Sequence, residues 1–112
     1  MTVLNDVTAA AENALAAGVS AARNEGKGLA ADAASLLRPN LLDIAAQIAA
    51  ITEARIAGTI SAELAQLNLK QQFESIEDLA VAEAELVLQA IQDILNAVID
   101  VLRAAVNAAV GV

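Results

Sequence analysis

From Leu86 to Val110 the chain reads LVLQAIQDILNAVIDVLRAAVNAAV, with polar residues recurring every three or four positions: Gln89, Gln92, Asp93, Asn96, Asp100, Arg103 and Asn107. At about 100° per residue this spacing predicts a helix with a polar stripe roughly 100° wide and about 260° of apolar surface. A typical surface helix has the opposite balance, so this one must be covered from several sides. Leu86, Ile91, Ile94, Leu95, Val98, Val101, Leu102 and Val106 are therefore the candidate assembly interface. One flank is expected to face the chain's own core and another a neighbouring copy. The polar stripe faces bulk solvent or an enclosed lumen.

Upstream, the same 3-4 spacing runs through Val3, Val7, Ala10, Ala14, Ala17 and Ala21, with Leu4, Ala11, Leu15, Gly18 and Ala22 alongside. Residues this small predict close backbone approach between helices. The run Asn24-Glu25-Gly26-Lys27-Gly28 interrupts the pattern, because each glycine weakens a helix by about 1 kcal/mol relative to alanine. Gly26 suits the position just past a helix end. The helical pattern resumes at Leu29 and stops before Pro39, which disfavours helix at Arg38. Asn40 is expected to cap a second helix, with Asp43 in its first turn.

That second helix is expected over 41–72, its buried face marked by Leu41, Ile44, Ala45, Ile48, Ile51, Thr52, Ile56, Ile60, Leu64 and Leu67. Gly58 is its weak point, a kink or a close contact. Ser75 followed by Asp78 resembles a capping box, so a boundary is expected at Phe73-Glu74-Ser75 and a third helix over 76–110. The expected fold is all-α, one domain over 1–112, in the form of an elongated antiparallel bundle of three long helices. The first spans 2–37 with a break near 26–28, and a full split there would make four. No segment alternates apolar and polar residues between hairpin turns, as strands would.

Composition sharpens this reading. Of 112 residues, 58% are hydrophobic and a single one, Phe73, is aromatic, while the mean hydropathy is +0.59. A core of Ala, Leu, Ile and Val suits closely spaced helices, and the apolar excess points to association. The formal net charge is −8, from 6 basic and 14 acidic residues. That balance argues against nucleic acid and against anionic membrane surfaces, both of which require clustered cations. Cysteine and histidine are absent, which removes disulfides, the commonest general base and the commonest transition-metal ligand.

Candidate chemistry is thin. Gly26-Lys27-Gly28 lacks the spacing and the following Ser/Thr of a phosphate loop. The carboxylates Glu74, Glu77, Asp78, Glu83, Glu85, Asp93 and Asp100 match neither an EF-hand nor a di-iron arrangement and read as solvated helix faces. Asp100 and Arg103 are spaced as an i,i+3 pair. Ser20, Ser35, Ser61 and Ser75 have no histidine to activate them, and Lys27 and Lys70 carry no nucleophile signature. No enzyme activity, metal or cofactor is expected. Nor does the N-terminus resemble a signal peptide, since Asp6 and Glu12 stand where basic residues precede an apolar run.

The alanine-rich, acidic, aromatic-poor composition is similar to that of small helical self-assembling proteins such as filament subunits and phage structural proteins, in composition alone. The expectation is a structural, self-assembling subunit of a helical homo-oligomer, filament or virion-type assembly. Two alternatives are a module that lays amphipathic helices on a lipid surface or hydrophobe, and a membrane-embedded oligomer. The first is disfavoured by the scarcity of Lys, Arg and aromatic residues, the second by Asp93, Asp100 and Arg103 within the longest apolar stretch.

Overall fold

The computed structural model describes residues 3–79 and 85–110. These residues form five helices: α1 (Val3–Asn24), α2 (Gly28–Leu36), α3 (Arg38–Ile56), α4 (Ala62–Asp78) and α5 (Glu85–Val110). No strand occurs among the described residues. The all-α class is as expected, but the count is five helices rather than three. Two of the three long helices are divided, each where a glycine takes up a positive φ.

The two divisions share one geometry. Gly26 has φ 78° and Gly58 φ 75°. After α1, the amide of Gly26 donates to the Arg23 carbonyl (3.1 Å) and that of Lys27 to Ala22 (2.8 Å). After α3, Gly58 donates to Arg55 (3.1 Å) and Thr59 to Ala54 (2.9 Å). This paired pattern is the Schellman motif, which satisfies the last carbonyls of a helix and needs a residue that tolerates the left-handed region. Gly58 is thus a helix end, not a kink. Ser61 then caps α4 by accepting the Leu64 amide at 3.1 Å.

The new turn resets the buried face. Leu41, Ala45, Ile48 and Thr52 are buried as expected, but the row does not continue through Ile56, Leu64 and Leu67, which are exposed. Instead α4 buries Ala65, Leu69, Phe73 and Ile76. The expected boundary at Phe73-Glu74-Ser75 is also overturned. Phe73 is a core residue within α4, and the Ser75 hydroxyl donates back to the Gln71 carbonyl (3.0 Å) instead of capping a helix. Glu74, Glu77 and Asp78 therefore lie at the C-terminal end of α4, where the helix dipole disfavours negative charge.

A boundary falls near Pro39 as expected, but at Leu37, and with a different cap: Arg38, where proline was expected to disfavour helix, is the first residue of α3. The proline ring lacks an N–H and clashes with the preceding turn, which ends α2 at Leu36. Leu37 joins α2 to α3 in helical geometry, and the proline sits in the first turn of α3, where a missing N–H costs nothing. Leu37 is the N-cap and has no side-chain cap bond, so Asn40 does not cap and Asp43 lies beyond the first turn.

α5 packs against all four other helices, and α1 against α2, α3 and α5. One core cluster draws on every helix, including Val7, Leu15, Ala31, Leu41, Ile76 and Leu102. The molecule measures 46 × 26 × 20 Å with a radius of gyration of 14.3 Å, slightly above the roughly 13 Å of a compact chain this long. Thr52, a polar residue within this core, is satisfied by its hydroxyl donating to the Ile48 carbonyl (2.8 Å).

Where α1 crosses α5, glycine is needed for lack of space. A Cβ placed on Gly18 would lie 2.9 Å from Ile94 Cγ2 and 3.3 Å from its Cγ1. Alanine is favoured over glycine inside a helix by about 1 kcal/mol, but overpacking costs about 1–3 kcal/mol. Gly18→Ala is therefore expected to destabilise the fold in urea denaturation. The same substitution should cost less, or stabilise, in an Ile94→Ala background; a stabilising Gly18→Ala on its own would contradict the tight crossing. At the end of α4, Glu77→Lys is expected to raise the urea midpoint slightly by replacing an unfavourable charge with a favourable one.

Candidate functional site

The residues expected to form an assembly interface are nearly all used inside the chain. Ile91, Leu95, Val98, Leu102 and Val106 are at most 1% exposed, and Ile94 is 7% exposed against Gly18. The side chain of Leu86 lies outside the described residues. Among the described members of the set, only Val101 faces solvent, at 41% exposure. It shares an apolar flank of α5 with the exposed Ala97, Ala104 and Ala108. Helices α1 to α4 cover the described apolar face of α5 apart from this flank.

The polar stripe is at the surface of this single chain. Gln89, Asp93, Asn96, Asp100, Arg103 and Asn107 are exposed and Gln92 is half-buried. Gln89 Nε2 donates to Asp93 Oδ1 at 2.9 Å, an i,i+4 pair along the stripe. Among the described residues Asp100 and Arg103 do not form the expected pair. The Arg103 guanidinium instead stands over the Phe73 ring, 5.0 Å from its centroid. A cation over an aromatic face is attracted by the ring quadrupole, by about 0.5–1 kcal/mol at an exposed site.

Both residues of this contact line a groove. It runs between α4 and α5, has a volume of about 470 Å³, and is floored by Leu69, Phe73 and Val106 with Lys70, Arg103 and Asn107 at its edges. Sequence reasoning placed Phe73 at a helix boundary and weighed Lys70 only as a nucleophile without a signature, and so missed the groove. The signal was present but ambiguous: Leu69, Phe73 and Ile76 keep helical spacing across a Ser-x-x-Asp that also fits a cap.

The remaining candidate chemistry is dispersed. Among the described residues no three carboxylates converge where they could hold a metal ion, and Glu83 lies outside the described residues. Ser35 donates to the Ala31 carbonyl at 3.0 Å, and Ser61 and Ser75 serve as the cap and back-bond described above. Among the described residues three exposed ion pairs join Arg23 to Asp32, Lys27 to Glu25 and Arg38 to Glu12. The third ties the start of α3 to α1. No described helix is long and apolar enough to cross a membrane.

The second apolar surface lies elsewhere. Leu29 and Leu36 on α2 are 76% and 79% exposed. With half-buried Ala33 between them they form an outward i, i+4, i+7 stripe. Ile56, Leu64 and Leu67 form a separate exposed group flanking the α3–α4 turn.

Burial decides what substitutions on α5 do. Val98→Asp places an unpaired charge in the core and is expected to unfold the protein, whereas Asn96→Asp on the stripe should leave the far-ultraviolet circular dichroism spectrum and melting temperature nearly unchanged. Equal tolerance of both would contradict the packing of α5.

No protein-family model matches this chain, and no curated protein or solved structure matches it either.

Proposed function

We propose that this protein is a non-enzymatic assembly subunit that associates with copies of itself through the outer face of α2. The observation that carries the proposal is the pair Leu29 and Leu36, each more than three-quarters exposed on one helix face. Scattered single apolar residues are normal on a soluble surface, but large ones repeated at helical spacing form a seam that water covers at a cost. A second α2 presents the same seam, so the surface is self-complementary about a two-fold axis.

α2 has nine residues, a length of only about 13 Å. That is small against the 1,200–2,000 Å² typically buried in a stable interface. Association is therefore expected to depend on concentration, in keeping with a core that closes within one chain. The net charge of −8 opposes it, and salt should strengthen it by screening that repulsion.

Light scattering after size exclusion, over a wide range of protein and salt concentration, tests the proposal. The expected mass rises above 11.4 kDa with concentration and returns to the monomer in Leu29→Glu/Leu36→Glu at unchanged helicity. Leu64→Glu/Leu67→Glu sorts the geometry. If it leaves association intact, α2 meets α2 in a closed dimer; if it also abolishes association, α2 meets the α3–α4 corner and the assembly is open-ended. A monomer under every condition, or association indifferent to the α2 substitutions, refutes the proposal.

A further inference from the structure

We infer that the groove between α4 and α5 binds a small amphiphile carrying one carboxylate. The groove combines an apolar floor of Leu69, Phe73 and Val106 with two cations, Lys70 and Arg103, at its edges. Its volume of about 470 Å³ falls in the range of small-molecule sites, which are mostly apolar with a few convergent polar groups.

The charge pattern selects an anion. The chain has six basic residues and a net charge of −8, so cations free of carboxylate partners are scarce. Arg23, Lys27 and Arg38 are ion-paired, and Arg55 donates to the Ile60 carbonyl at 3.3 Å. Among the described residues Arg55, Lys70 and Arg103 have no carboxylate partner, and of these Lys70 and Arg103 line this groove. Neither pairs with the carboxylate nearest in helical spacing, Glu74 for Lys70 or Asp100 for Arg103. The planar Arg103 guanidinium is already oriented by the Phe73 ring, which lowers the ordering cost of binding a carboxylate. The apolar body of the ligand then covers Leu69 and Val106. A single hydrocarbon chain with a carboxylate head fits both features.

The site is on α4 and α5 and its test does not depend on self-association through α2. The probe is decanoate below its micellar concentration, compared with decanol and decyltrimethylammonium by calorimetry. Phe73 is the chain's one aromatic residue, so its ring proton resonances report unambiguously on occupancy. The expected result is one decanoate per chain, a shift of the Phe73 ring signals, and weaker binding of the alcohol and the cation. Lys70→Gln/Arg103→Gln changes two exposed side chains and should weaken decanoate binding about tenfold or more through loss of charge-assisted bonds. Arg23→Gln/Lys27→Gln, with the same change in net charge, should leave it unaltered. Several outcomes overturn the inference: no decanoate binding, decanol binding as tightly, binding that leaves Phe73 unshifted, or equal weakening in the two double variants. The comparison of decanoate with decanol on the unmodified protein stands even if a variant fails to fold.

Discussion

The burial of α5 governs the rest of the molecule. A helix with roughly 260° of apolar surface cannot rest on one neighbour, and this chain surrounds it with all four of its other helices. Only one aromatic residue is available to fill space, so contact depends on short distances between backbones. The crossing of α1 and α5 at Gly18 and Ile94 is the clearest instance, since even a methyl group on the glycine would come within 2.9 Å of the isoleucine. Alanines at 0% exposure, such as Ala11, Ala31, Ala34 and Ala45, serve the same end elsewhere in the core. Dense packing of small side chains is what compensates for the missing bulk.

Five shorter helices meet this constraint where three long ones would not. Three rods each about 50 Å long could cover α5 on two sides at most. Breaking the first rod at Gly26 and the second at Gly58 lets α2 and α4 approach α5 from further directions. Each break is a Schellman turn, so the extra helix ends leave their last carbonyls satisfied. The acidic end of α4 is the feature least consistent with local helix chemistry.

Outside the core, α2 and the α4–α5 groove are chemically different surfaces. α2 offers leucines with no cation among them, a seam suited to another apolar helix. The α4–α5 groove offers apolar floor and positive edge together, in a protein that is otherwise strongly acidic. The proposed self-association and the proposed anion binding would therefore use separate helices. The small exposed flank of Ala97, Val101, Ala104 and Ala108 lies between the polar stripe of α5 and its buried sector, and the stripe keeps the longest apolar segment wetted along one side.

The sequence by itself determined that the chain is helical, where Pro39 and Gly26 interrupt it, and which α5 positions are polar and which apolar. These follow from local rules: helical periodicity, the fixed φ of proline and the freedom of glycine at positive φ. It did not determine what covers the apolar face. Ile91, Val98 and Leu102 look the same in sequence whether they meet α1 or another copy, because hydrophobic burial is proportional to area and blind to the identity of the partner. Nor could it place Ser75, whose hydroxyl can cap a helix or bond back within one. Only the tertiary structure decided that Gly58 ends a helix and rotates the following face, leaving Leu64 and Leu67 outside and turning Phe73 inward beneath Arg103. That decision rests on packing among residues distant in the chain, which no local pattern encodes.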